Sequence, residues 1–246
     1  VTKFKEYLIE EADKFYKSLI FNGFNFDNWK SLAEVLVLYI AVFNRKQSRE
    51  THKVLVDDFL SMIKLSNTSL PETYENLSPE EKSLKNDIYK LTLRGKLDSV
   101  VTALIPNKVK LYLDYVHDHR EDAGVSNDNP YLFGIPGMMS GERFKILETC
   151  TLMRKYTKLA HLQHPETIRT TLLRKHLATQ VSAMNLEDAK QKTVMDFMDD
   201  QEQTHKKYYR QEIVTQDLML HENLTTKIAV DENSMYFFYT NKIHKH

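Results

Sequence analysis

The sequence predicts a mainly helical α+β domain with one small β-hairpin, and three observations support this class. The 246 residues include only 6 Gly and 6 Pro, which argues against a β-sandwich and against a Gly-rich nucleotide-binding fold. Apolar residues recur at helical spacing through most of the chain. Residues 89–93 and 99–105 alternate like two strands joined by a turn. We therefore expect a helical bundle that carries a small hairpin or sheet.

The N-terminal part of the chain has the clearest helical patterns. Residues 3–21 place apolar side chains at helical spacing with charged residues between them. Residues 28–43 are apolar on almost every side, so we expect this second helix to be buried in the core. After the basic stretch 44–50, a third helix is predicted to run to about Ile63.

The remaining segments alternate between linkers and helices. Residues 66–82 are polar and contain two prolines, which is typical of an exposed linker. A helix is predicted from Pro106 to about Ala123, followed by a loop over 124–141 that holds four of the six glycines. Further helices are predicted at 142–161, 167–184, 187–199 and 202–224, and residues 236–240 read as a short strand or docking segment.

The charge balance constrains any role with DNA. Lys+Arg and Asp+Glu each number 34, so the formal net charge is zero. A duplex-binding domain usually has a basic excess, because neutralising phosphates supplies much of its affinity. A DNA-binding role here therefore requires basic residues gathered on one face, or additional segments.

Residue usage also limits the compartment and the chemistry. Cys150 is the single cysteine, so no internal disulfide or cysteine-based zinc site can form, and we expect a buried, inert thiol. No apolar run matches a membrane span and no signal peptide opens the chain, which indicates a nuclear or cytoplasmic protein. The start at Val1 suggests a fragment of a longer protein. No metal or cofactor site is predicted.

Several segments occur in an order and spacing typical of one enzyme family. Residues 173–179 form a helix that carries Arg174, and Tyr209 follows Asp200 by nine residues after an apolar stretch. Upstream, Lys96 lies in the turn of the predicted hairpin, and the sequence Asn-Pro-Tyr-Leu-Phe occupies 129–133. These segments resemble the catalytic domain of the tyrosine recombinases, the phage-integrase family. Residues 30–215 carry the resemblance, which is strongest to the eukaryotic branch of Crypton-type transposons and their descendants.

The resemblance implies phosphoryl transfer without a metal. A tyrosine hydroxyl attacks a DNA phosphodiester, two arginines bind the non-bridging oxygens, and a lysine protonates the departing sugar oxygen. By position, Tyr209 would be the nucleophile, Arg174 the second arginine and Lys96 the general acid. Each also has a plain structural alternative: a core tyrosine, a paired arginine and a solvated turn residue.

Three departures from the family pattern predict an impaired enzyme. The first arginine, three residues before Glu50, is replaced by Gln47. Thr171 stands where the family usually has histidine, and Asp200 replaces the final histidine or tryptophan with a negative charge. The residues considered as candidate assistants in catalysis are Arg45, Arg49, Lys175 and His176.

Three hypotheses follow for the chain as a single domain over 1–246, with an N-terminal helix at 1–25, a core at 26–215 and a C-terminal extension at 216–246. The first is a DNA-associated, transposon-derived, impaired recombinase domain in a nuclear protein, able to form homo-oligomers through its C-terminal segment. The second is an active recombinase. The third is a helical scaffold that binds another protein and no DNA. The first requires one basic face formed by Arg94, Lys96, Arg174, Lys175, Lys206 and Lys207.

Overall fold

The computed structural model describes residues 1–65, 87–95 and 100–183, with side chains described as far as residue 177. Within these residues the chain is mostly helical with two small antiparallel sheets, so the predicted fold class is confirmed. The elements in chain order are α1 (Thr2–Asn22), α2 (Phe26–Phe43), α3 (Ser48–His52), α4 (Val56–Leu60), β1 (Ile63–Lys64), β2 (Ile88–Arg94), β3 (Val100–Pro106), α5 (Asn107–Asp118), β4 (Gly134–Met139), β5 (Arg143–Ile146), α6 (Thr149–Leu159) and α7 (Thr170–Ala183).

Helix α2 forms the centre of the core, as its apolar sequence predicts. Every residue from Leu32 to Val42 is buried, and α1, α5, α6 and α7 pack around the helix. Asn25 caps its N-terminus by accepting a hydrogen bond from the Asn28 N–H at 3.0 Å. Trp29 is fully buried, and its indole Nε1–H donates to the Val116 carbonyl at 3.0 Å. This bond fixes the start of α2 against the end of α5.

One carboxylate lies within the buried stretch of α2. Glu34 accepts hydrogen bonds from Lys155 Nζ at 2.6 Å and from the Tyr156 hydroxyl at 2.9 Å. Burial, with the neighbouring Glu34 charge, raises the pKa of Tyr156 well above its ordinary value, so the phenol keeps the proton that it donates. The carboxylate is therefore satisfied, and it links α6 to the core helix.

The predicted hairpin is present, and a third short strand extends it. β2 and β3 pair in antiparallel register from Ile88 opposite Pro106 to Arg94 opposite Val100. β1 pairs with the outer edge of β2. Asn44, which follows α2, accepts from the Leu104 N–H at 2.7 Å and donates to the Leu104 carbonyl at 3.0 Å. This amide therefore attaches the sheet to the end of the core helix.

The helix predicted to run to about Ile63 is wrong in its extent. The chain instead forms two five-residue helices, α3 and α4, and then β1. The break at residues 53–55 arises because this backbone bonds to another segment: the Val56 N–H donates to the Pro130 carbonyl, and the Leu132 N–H donates to the Val54 carbonyl, both at 2.8 Å. A tertiary contact of this kind leaves no trace in local periodicity.

The loop predicted over 124–141 and the helix predicted over 142–161 also need correction. β4 and β5 form a second hairpin, and α6 begins only at Thr149. The Asn129 side chain donates to the Lys145 carbonyl at 3.2 Å, and its atoms lie so close to Gly134 that a Cβ there would approach within 2.5 Å. A glycine is therefore required where this hairpin begins.

The linker predicted at 66–82, the helices predicted at 187–199 and 202–224, and the strand or docking segment predicted at 236–240 lie outside the described residues. Among the helices that the structure describes, none has both the length and the apolar content to cross a membrane.

Arg120 fixes the connection between α5 and the second hairpin. The residue is 9% exposed, and its guanidinium donates to the carbonyl oxygens of Tyr131, Leu132 (3.1 Å) and Asn129 (2.7 Å). Substitution Arg120→Lys should lower the free energy of unfolding by about 2–3 kcal/mol, because an ammonium group cannot reach three carbonyls in one plane. Urea unfolding measures this. The exposed Arg154→Lys is the matched control, and an equal loss in both variants would contradict the assignment.

Candidate functional site

Three helices, α3, α6 and α7, meet through buried hydroxyl groups. The Ser48 and Thr170 hydroxyls lie 2.9 Å apart, although the two residues are 122 positions apart in sequence. The Thr51 and Thr149 hydroxyls are 3.1 Å apart, and the Cys150 thiol donates to the Ser48 hydroxyl at 3.1 Å. Such short contacts fix the position of α3 against the starts of the two other helices.

A carboxylate and a guanidinium lie beside this junction. Glu50 Oε1 is 3.6 Å from Arg174 Nη1, and the two residues are 3% and 8% exposed. The other carboxylate oxygen of Glu50 accepts a 2.8 Å hydrogen bond from the backbone N–H of Gln47. One buried carboxylate thus joins the residue before α3 to the second turn of α7.

The segment 129–133 lies against the same short helix. Through the two backbone bonds of Pro130 and Leu132 described above, it forms a bridge-like pairing with residues 54–56, directly after α3. The β2–β3 hairpin also contacts this region, and Arg94 at the end of β2 places its Nε 3.4 Å from Asp58 of α4. Three segments that carry the resemblance therefore contact α3 or the residues directly after it: α7, residues 129–133 and the β2–β3 hairpin.

The remaining predicted site residues have varied positions. Arg49, Thr171 and Lys175 are exposed, His176 is half-buried, and Arg45 is buried with its charge near Lys5 of α1. Arg94 is exposed, with its ion pair to Asp58 on the surface. The predicted site residues that lie outside the described part of the chain are Lys96, Asp200, Lys206, Lys207 and Tyr209.

Cys150 corrects one prediction. The residue is exposed rather than buried, although its thiol contacts the buried Ser48 hydroxyl. It occupies the first turn of α6, whereas the sequence predicted the interior of a longer helix. The reason is the late start of α6, which turns this position toward solvent.

Electrostatics distinguish the two ends of α3. His52 is at its C-terminal end, and burial, together with the charge of Lys53, lowers the pKa of His52. Its neutral form is therefore favoured near neutral pH. The N-terminal end carries Gln47 and the carboxylate of Glu50, which suits the positive end of a helix. Within the ranges that the structure describes, no group of three metal-ligating side chains is assembled.

The sequence identified the positions of Gln47, Glu50 and Arg174 but missed Ser48 and Thr170. These two hydroxyls hold the helices that carry the predicted positions. Ser and Thr at helix starts are ordinary capping residues, so their pattern gives no sign that they bond to each other. The contact depends on tertiary packing alone.

Comparisons with family models and with curated proteins give no match. The solved structures that are similar to this chain include two of the XerH site-specific recombinase. Its pre-cleavage complex with difH substrate is 16% identical, with a TM-score of 0.46, and the match covers 91% of this chain and 51% of that chain. Its post-cleavage complex with palindromic difH substrate is 16% identical, with a TM-score of 0.45, over 92% and 52%. The chain spans about half the length of these recombinase chains.

The Glu50–Arg174 pair should show strong energetic coupling. Either Glu50→Gln or Arg174→Met alone leaves one buried charge without its opposite charge, which costs about 3–5 kcal/mol of unfolding free energy. The double variant removes both charges, so its loss should fall well below the sum of the single losses. Urea unfolding of the four proteins measures the coupling. Additive losses would show that the two side chains do not interact.

Proposed function

We propose that the chain is a DNA-associated domain of the tyrosine-recombinase type, with impaired catalysis. Its origin is a mobile element of the Crypton type, and its setting is a nuclear protein. The proposal treats residues 1–246 as one such domain. DNA is the partner, through phosphate contacts.

The observation that supports this most is the meeting of α3 with the first two turns of α7. The resemblance expects two arginine positions, far apart in sequence, to bind the same phosphate. Here the first position, Gln47, and the second, Arg174, are joined through the single carboxylate of Glu50. A local sequence pattern does not produce this proximity, so it is evidence independent of the motif spacing.

The chemistry of these residues suits phosphate binding more than bond cleavage. A guanidinium held by a buried carboxylate is fixed in orientation, which suits a planar fork that donates to phosphate oxygens. Gln47 supplies amide donors but no charge at the other position. Removing one donor of this kind from a transition state costs roughly 10²–10³-fold in rate. The negative charge of Asp200 adds repulsion toward a phosphate.

The proposal assigns roles to residues beyond the described part of the chain. Tyr209 is the nucleophile position and Lys96 the general acid position. The DNA-contacting set is Arg94, Lys96, Arg174, Lys175, Lys206 and Lys207. The C-terminal extension, 216–246, is the segment proposed to join protomers into a homo-oligomer.

The zero net charge favours one alternative, a helical scaffold that binds a protein partner and no DNA. Duplex binding distinguishes the two functions, because phosphate contacts make affinity depend steeply on salt.

Fluorescence anisotropy against a random-sequence duplex should show binding at low salt that weakens steeply as salt rises. The double variant Arg94→Gln/Lys175→Gln removes two exposed cations and should reduce the slope of log K against log salt by about 2. The control Lys158→Gln, an exposed cation on α6, should change it by less than 1. No binding at low salt would leave the scaffold as the function.

Restoring the residues that the family pattern expects should restore covalent attachment to DNA. A suicide duplex should give no covalent adduct with the natural chain, whereas Gln47→Arg with Asp200→His should give one, because both changes supply the missing positive or proton-donating groups. Denaturing gels detect the adduct, and adding Tyr209→Phe should abolish it. An adduct with the natural chain, lost in Tyr209→Phe, would instead establish an active recombinase.

A further inference from the structure

Arg45 is a buried cation in an unusual setting. The residue lies between α2 and α3, is 5% exposed, and adopts a left-handed backbone with φ of 53°. Its Nη1 is buried and has no hydrogen-bond partner within the part of the chain that the structure describes. A non-glycine residue at positive φ and a desolvated guanidinium both oppose folding. Such a combination commonly marks a ligand site.

One further cation, Lys5, lies close enough to this guanidinium for the two charges to interact. Lys5 of α1 places its Nζ 5.7 Å from the centre of the Phe43 ring, two residues before Arg45 in the chain. Burial lowers the pKa of Lys5, and the charge of Arg45 lowers it further, so the two cations are close enough to repel each other. Lys46 is fully buried next in sequence. The exposed Glu6 is the carboxylate that acts on Lys5 from the same helix.

The two carboxylates that are buried in the described part of the chain already have other partners. Glu50 binds Arg174 and the Gln47 N–H, and Glu34 binds Lys155 and Tyr156. Burial lowers the pKa of Arg45 to about 10, which still leaves the guanidinium charged at neutral pH. Within the described residues, neither buried carboxylate neutralises this ionised, desolvated donor.

We propose that Arg45, with Lys5, forms a binding site for a phosphate-type oxyanion, separate from the Glu50–Arg174 pair. A guanidinium edge donates to two oxygens of such an anion while the ammonium of Lys5 donates to a third. One bound anion offsets the repulsion between the cations and satisfies the buried donor. The anion is either free phosphate or a backbone phosphate of a nucleic acid, which share this chemistry.

Thermal unfolding of the full chain tests the site. In chloride, Arg45→Gln should match or exceed the melting temperature of the natural chain, because it removes an uncompensated buried charge. In inorganic phosphate at equal ionic strength the order should reverse, with the natural chain stabilised by on the order of 5 °C at a hundredfold excess over Kd. Arg154→Gln, an exposed arginine on α6, should behave like the natural chain.

Two further variants separate the site from a folding defect. Arg45→Gly removes the guanidinium and relaxes the positive φ, so it should fold and yet lose the phosphate response. Lys5→Gln should weaken the response without removing it. If phosphate stabilises the natural chain and Arg45→Gly equally, the assignment to Arg45 is wrong.

Binding of a DNA duplex by the same variants identifies the source of the anion. Loss of the phosphate response in Arg45→Gln and Arg45→Gly, with duplex affinity unchanged, indicates free phosphate. A response to duplex alone, with affinity reduced about tenfold or more in both Arg45 variants but not in Arg154→Gln, indicates a nucleic-acid phosphate. If neither phosphate nor duplex distinguishes Arg45 variants from the natural chain, no oxyanion binds there.

Discussion

The structure depends on the burial of one helix on all sides. Because residues Leu32 to Val42 of α2 are all buried, no face of this stretch is open to solvent, and α1, α5, α6 and α7 must surround it. The single carboxylate in this stretch, Glu34, is tolerated because Lys155 and Tyr156 both donate to it. The central helix thereby fixes where α6 can lie, and α6 in turn places Thr149 against α3.

The candidate site is a consequence of how the chain leaves this helix. Asn44 bonds to the sheet through Leu104, and the left-handed turn at Arg45 redirects the backbone into α3. Helix α3 is only five residues long, so it has little stability of its own. Its position comes from Ser48, which bonds to Thr170, and from Glu50, which lies against Arg174. The site is thus built by tertiary contacts on a marginal helix.

The difference between local periodicity and tertiary contacts explains how much could be predicted from the sequence. Helices α1 and α2, the β2–β3 hairpin and α7 follow from local periodicity, and the structure has them close to the predicted bounds. The break after α3 and the β4–β5 hairpin depend on contacts made by 129–133, which no local pattern encodes. In the site, the positions of Gln47, Glu50 and Arg174 were available from motif spacing. The hydroxyl contacts that join their helices could not be predicted, because the local sequence does not show whether a Ser or Thr hydroxyl caps a helix, contacts solvent or bonds to another hydroxyl.

The two buried arginines near this site show why a zero net charge says little about local electrostatics. Arg174 lies beside a buried carboxylate, so its charge is balanced within the fold and its desolvation cost is largely offset. Arg45 is equally buried, and the cation Lys5 lies close enough for the two charges to interact. A protein with equal numbers of acidic and basic residues can therefore still place two cations close together where its buried carboxylates have other partners. Glu34 and Glu50 have such partners, and the oxyanion proposed above would balance the field around Arg45.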